Sequence, residues 1–255
     1  MGLNLKDILT QAEFILNKDQ LGDPVKPETY QVLIKVINEE FFNSELKKIN
    51  DLSIQENKNI ETYIINDSAL FKFKQIFNLF GIGSSPTFSI PNDYKRYISL
   101  SVQVNGQMYS CEILDEGELD QRISSVIGKS IHNHPIATII GTLIRIIPNY
   151  FTGVKFTYLR SPAVPFYDYC TNQVDDEIYM PTGSQIRSYE GNLTLFDVND
   201  NILNRNINNI SGLTLPYISK SVEFEYDDRF IPRIIDLLVE KLGAHSREVL
   251  ISNKS

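Results

Sequence analysis

A chain of 255 residues with 42% hydrophobic and 22% charged side chains can bury a sizeable core, and its length sets an expectation of one or two domains. The formal net charge of −8 argues against a surface dedicated to nucleic acid, because neutralising phosphates takes a concentration of Lys and Arg. Two cysteines, Cys111 and Cys170, are too few for a disulfide framework and lack CxxC spacing, so both are expected to be reduced and partly buried.

Lys6, Asp7 and Glu13 interrupt the apolar run that a secretion signal needs, and no stretch reaches the ~18 apolar residues of a membrane span. No membrane association is therefore expected. The first helix is marked by Leu5, Ile8, Leu9, Ala12, Ile15 and Leu16, which recur at the spacing of one helical face, with Asn4 as its cap. Gly22 and the prolines after it break this helix. Pro27 and Glu28 start a second one, with Tyr30, Leu33, Ile34, Ile37 and Phe41 on its apolar face. Two such helices with a short link are expected to form a helical hairpin.

Residues 50–66 are polar and weakly patterned, which predicts a loop. A third helix is expected after Asp67 or Ser68, with Leu70, Phe73, Ile76, Phe77 and Phe80 as its buried stripe and Gly81 as its stop. The glycines of Gly81–Pro86 suggest a phosphate loop only superficially, since they follow a helix instead of linking strand to helix. The period then changes to that of strands. Arg96–Cys111 alternates on both sides of Asn105-Gly106, the pair that best specifies a two-residue hairpin because both residues tolerate positive φ.

Asp115 and Glu118 form a capping-box pattern for a short helix running to about Ile127, with Leu119 and Ile123 facing inward. Ile136–Ile140 and Thr142–Ile147 are apolar enough to predict buried strands turned at Gly141, and Val154–Leu159 predicts another strand. Pro162 and Pro165 then stiffen an extended exit leading into Phe166, Tyr167 and Tyr169. Tyr167–Gly191 and Asp197–Gly212 are expected to be long loops around a strand at Leu193–Val198. Ser221–Tyr226 alternates as a strand, and a last helix is expected from about Asp228 to Leu242, stopped by Gly243, with Ile231, Ile234, Ile235, Leu238 and Leu242 inward.

The expected class is therefore α+β: an N-terminal helical hairpin and third helix in residues 1–83, then a β-rich region, 84–255, with a small, mostly antiparallel sheet closed by a C-terminal helix, the two regions packed as one compact unit. Chemistry is sparse in this pattern. His132 and His134 could ligate a metal from a strand, yet no third ligand is identifiable and Pro135 follows at once, so an exposed turn is favoured over a metal-dependent hydrolase. Asp175-Asp176-Glu177 and Asp227-Asp228 suit turns or helix caps better than paired catalytic carboxylates. No nucleophile elbow, Walker loop or dinucleotide fingerprint is present, and no cofactor is expected.

The order of segments resembles the head-to-tail connector or ring proteins of crAss-like and related Bacteroidetes phages. The likeness runs through EEFFNSELKK, IPNDYKRYISLSV, LDEGELDQRISS, IRIIPNY, FTYLRSPAVPFYDY and VEFEYDDRFIPRIIDLLVEKLG. It implies a non-enzymatic virion protein that closes into a ring, twelve-fold to match a portal, between the portal and adjacent tail or connector rings. Genome DNA would pass through without specific binding, which an acidic chain favours. Phe166, Tyr167, Tyr169, Tyr30, Ile37 and Phe41 are the expected subunit contacts; a tail adhesin that binds a host receptor is the other non-enzymatic alternative.

Overall fold

The computed structural model describes residues 4–19, 26–56, 59–64, 68–80, 87–125, 134–174, 176–208 and 214–252. In chain order the elements are α1 (Leu5–Asp19), α2 (Pro27–Glu56), β1 (Lys74–Phe80), β2 (Thr87–Ser89), β3 (Tyr94–Val104), β4 (Gln107–Ser110), β5 (Glu112–Ile113), α3 (Glu116–Ser124), β6 (Ile136–Ile140), β7 (Leu143–Ile147) and β8 (Gly153–Arg160). They continue with β9 (Tyr169–Thr171), β10 (Glu177–Tyr179), β11 (Gln185–Tyr189), β12 (Asn192–Phe196), β13 (Ile202–Arg205), β14 (Tyr217–Ile218) and α4 (Ile231–Ser252). The class is mixed α+β with several small sheets, and among the described residues strand pairing is antiparallel except between β5 and β6.

The chain divides into two compact units. One comprises Met1–Glu45 and Pro162–Ser255, the other Leu46–Ser161. This division, with boundaries at 45/46 and 161/162, returns to the first unit after the second is complete.

In the Leu46–Ser161 unit, two four-stranded sheets, β1-β8-β3-β4 and β2-β7-β6-β5, contribute to one buried cluster that includes Phe88, Leu100, Val102, Ile144, Val154 and Phe156. Phe156 is its aromatic centre: its ring lies 5.3 Å from Tyr158, 5.9 Å from Tyr94 and 6.1 Å from Phe88. The Asn105-Gly106 turn joins β3 to β4 as expected, with φ of 50° and 81°. Gly141, at φ 59°, turns β6 into β7. The capping box at Asp115 and Glu118 starts α3 and buries Leu119. Ile123, however, is 37% exposed instead of inward, and residues 126 and 127 lie outside the described residues. β7 is half-exposed, with Leu143 and Arg145 outward, because only one of its faces meets the cluster.

The helix expected over 70–80 is a 3-10 turn, Phe71–Phe73, followed by strand β1. Its apolar spacing fits both periods, and pairing with β8 over seven residues, from Lys74↔Leu159 to Phe80↔Gly153, settles the matter in favour of the strand. Leu70 and Phe73 are buried as expected, while Ile76 and Phe80 point outward. Asp67 and Gly81–Pro86 lie outside the described residues. The loop expected from residue 50 begins later, since α2 continues to Glu56.

In the other unit Asn4 caps α1 as expected, its Oδ1 accepting from the Asp7 N–H at 2.9 Å. α1 lies along α4, with Leu16 beside Gly243. Gly243 is not a stop: α4 runs on to Ser252, and Ile231, Ile234, Ile235, Leu238 and Leu242 are all buried. The expected loop Tyr167–Gly191 contains β9, β10 and β11, and the expected loop Asp197–Gly212 contains β13. β11 to β14 form a second sheet, ordered β13-β12-β11-β14, over Cys170, Met180, Ile186, Leu195 and Ile207. Ser221–Tyr226 is a strand only at Val222, which bridges Phe166.

Candidate interaction site

The exit after Pro165 is tied down residue by residue. Phe166 and Val222 exchange both backbone hydrogen bonds, at 3.0 and 2.9 Å. The Tyr167 N–H donates to Gln31 Oε1 at 2.8 Å, and the Asp168 N–H donates to Ser221 Oγ at 3.0 Å. Asp168, itself buried, accepts from the Tyr217 hydroxyl and the Lys220 N–H. Such a strap fixes the direction in which its aromatic side chains project.

Those side chains assemble a tyrosine cluster. Tyr167 stacks on Tyr179 with centroids 4.9 Å apart, and its ring is 6.2 Å from Tyr30 and 6.3 Å from Tyr169. Tyr169 and Tyr179 face each other across the β9–β10 ribbon, whose register puts Glu177 and Thr171 on the same side. Carboxylates ring the cluster. The Tyr30 hydroxyl donates to Glu13, that of Tyr179 to Glu223, and that of Tyr169 to Glu28 at 3.3 Å.

These surroundings disfavour further negative charge. Burial pushes the Tyr167 phenol up to about 12, with Glu177 and Glu13 adding to the shift. Burial first and then the Glu28 carboxylate raise Glu177 above the ordinary carboxylate value. The exposed rim formed by Glu28 and Glu177 is therefore suited to receive a cation.

The expected contact residues fall into two groups. Phe166, Tyr167 and Tyr169 keep part of their surface accessible. Tyr30, Ile37 and Phe41 are 6%, 0% and 0% exposed, and so belong to the core and have no surface to offer a neighbour. Phe41 meets Tyr226 edge-on at 4.7 Å and carries the Arg233 guanidinium over its ring at 5.2 Å. Sequence reasoning missed Tyr179, Glu28 and Glu223. The alternating Val-Glu-Phe-Glu-Tyr run reads only as a strand, yet Glu223 accepts from the Leu5 N–H and Glu225 from the Ala163 N–H.

Of the acidic runs, Asp176 lies in a turn and Asp227 and Asp228 at a helix start, as expected, whereas Glu177 begins β10 and Asp175 lies outside the described residues. Asn172 and Asp176 bond to each other in the β9–β10 turn, and Asp227 precedes the 3-10 turn Asp228–Phe230. His134 is exposed at the entry to β6, and His132 lies outside the described residues. Among the described residues no group of three or more His, Cys, Asp or Glu side chains is placed to hold a metal ion, and no helix is long and apolar enough to cross a membrane. Cys111 and Cys170 are free and buried, and burial pushes their thiols up to about 12 and about 11.

No protein-family model matches this chain, and no curated protein does.

Proposed function

We propose that the chain is a non-enzymatic structural protein of a phage virion, a subunit of a cyclic ring in the portal-to-tail connector through which the genome passes. One observation carries this reading. The six segments that resemble connector proteins fall on framework elements of both units, and they include Phe41, Phe42, Leu100, Leu119, Ile144 and Phe156, all nearly or wholly buried. A likeness written in core residues concerns the building block as a whole, more than a local motif.

In this reading the first two helices, acting as a hairpin, and α4 make lateral contacts between copies, twelve to the ring. The segments Tyr167–Gly191 and Asp197–Gly212 meet the portal or the adjacent connector rings. A closed ring of identical subunits requires two unlike, complementary faces on each copy. The acid-rich composition lets DNA slide past without adhering. Mass-spectrometric analysis of purified virions tests the proposal, followed by location of the chain's density in a particle reconstruction; absence from intact particles would end it.

A further inference from the structure

The outer face of the β1-β8-β3-β4 sheet is open at one end. Pairing places Phe80, Gly153, Gln103 and Met108 in one row across it and Asn78, Lys155, Ser101 and Ser110 in the next. Toward Thr157 and Leu159 the same face is covered, those two residues being 1% and 0% exposed. At the open end Phe80 is 71% exposed and Met108 48%, and on the edge strand Ile76, opposite Thr157, is 51% exposed. Phe80 is seated by the glycine opposite it: a Cβ on Gly153 would stand 2.9 Å from Phe80 Cδ1, so the ring lies directly over the Gly153 backbone. Lys155, in the second of these rows, is exposed, and among the described residues it makes no ion pair. No acidic residue shares this face of the four strands. The result is a surface on which the exposed side chains of Phe80 and Met108 lie near the Lys155 ammonium group, among the polar side chains of Asn78, Ser101, Gln103 and Ser110.

Charge is divided unequally along the chain. Leu46–Ser161 carries 12 Lys and Arg against 10 Asp and Glu, while Met1–Glu45 with Pro162–Ser255 carries 12 against 22. The partly exposed Tyr167 and Tyr169, rimmed by Glu28 and Glu177, are the aromatic part of that acidic surface. An ammonium group over tyrosine faces and between two carboxylates gains cation–π and charge-assisted contacts, and it relieves the repulsion of Glu28 and Glu177.

We infer that the sheet face around Phe80, Met108 and Lys155 docks on the Tyr167–Tyr169–Glu28–Glu177 surface of a second copy of this chain, with Lys155 between the carboxylates. The two surfaces differ, so the contact is heterologous and propagates head to tail. Taking the occupant to be another copy rests on the ring reading above, and it gives Tyr167, Tyr169 and Glu177 a contact between copies where that reading assigned their segment to the portal or adjacent rings.

The test is sedimentation velocity of the purified full-length chain across a concentration series, with circular dichroism confirming that each variant is folded. Phe80→Asp, at a position already exposed, and Lys155→Glu should each weaken self-association at least ten-fold. Glu177→Lys should do the same, and the Lys155→Glu/Glu177→Lys double swap should recover most of the loss. A wild-type chain that stays monomeric throughout, association indifferent to these changes, or a double swap without recovery would each overturn the inference. The ring reading fails separately. A chain that associates through this face but is missing from virions keeps the inference and loses the ring, and a virion protein whose association ignores Phe80 and Lys155 does the reverse.

Discussion

Gly243 gives a substitution whose sign separates two descriptions of the C-terminus. If it ended the last helix in a left-handed conformation, as its position in the sequence suggests, alanine there would cost about 1 kcal/mol or more. The structure instead puts it inside α4, and it is not among the residues with positive φ. An alanine Cβ would meet Leu16 Cδ2 of α1 at 3.6 Å, an ordinary van der Waals contact that needs no repacking. Only the helix propensity difference remains, about 0.8–1 kcal/mol in favour of alanine. Gly243→Ala should therefore raise the denaturation midpoint by ~2–4 °C in a thermal melt followed by far-ultraviolet circular dichroism. Gly141→Ala is the internal control: with φ 59° and open space around its Cβ, it should lose about 1–2 kcal/mol from backbone strain alone. A Gly243→Ala variant destabilised like Gly141→Ala would refute the continuous helix.

Phe41→Ala should cost about 3–5 kcal/mol in urea denaturation, as expected of a fully buried aromatic; a loss confined to assembly, with stability unchanged, would return Phe41 to the contact surface. Asp115→Ala removes the cap of α3 and should cost about 1 kcal/mol, and an unchanged midpoint would mean that water replaces the capping box without loss. Glu177 has a raised folded-state pKa, so its stabilising contribution is complete below the ordinary carboxylate value and lost as pH rises through the raised one. Glu177→Gln, which keeps the neutral form, should accordingly raise the melting midpoint at neutral pH and leave it unchanged below about pH 4. Equal midpoints at both pH values would show that Glu177 is as well solvated folded as unfolded.

Whether an element was legible in the sequence depended on how far away its deciding interactions lay. The Asn105-Gly106 turn, the Asp115 capping box and the Asn4 cap each depend on atoms within a few residues, and each is found where the pattern put it. The inward face of α4 was equally readable, because an amphipathic stripe repeats the same statement every turn. β1 was not. Leu70, Phe73, Ile76, Phe77 and Phe80 satisfy the spacing of a helix, and the strand that overrides it, β8, comes more than seventy residues later. The same holds for Ser221–Tyr226, where an alternating run suggests ladder pairing. Its glutamates take part of that role, because two backbone N–H groups, those of Leu5 and Ala163, find carboxylates there.

The interaction site was half legible for a related reason. Aromatic residues following two prolines were a sound reason to single out Phe166, Tyr167 and Tyr169, since a stiffened exit projects its side chains at low entropic cost. The same reasoning could not separate Tyr167 from Ile37 or Phe41, because an apolar residue on a helix face reads alike whether it meets its own chain or another. What separates them is the company each one keeps. Phe41 is closed in by Tyr226, Phe230 and Arg233, whereas Tyr167 and Tyr169 stay partly open beside the exposed Glu28 and Glu177. A surface that combines stacked rings with exposed carboxylates is specific about what it accepts. It disfavours a purely apolar partner, which would strip water from the carboxylates without replacing it, and it favours a cation carried on an apolar stem. Lys155, standing among Phe80, Ile76 and Met108, is a group of that kind.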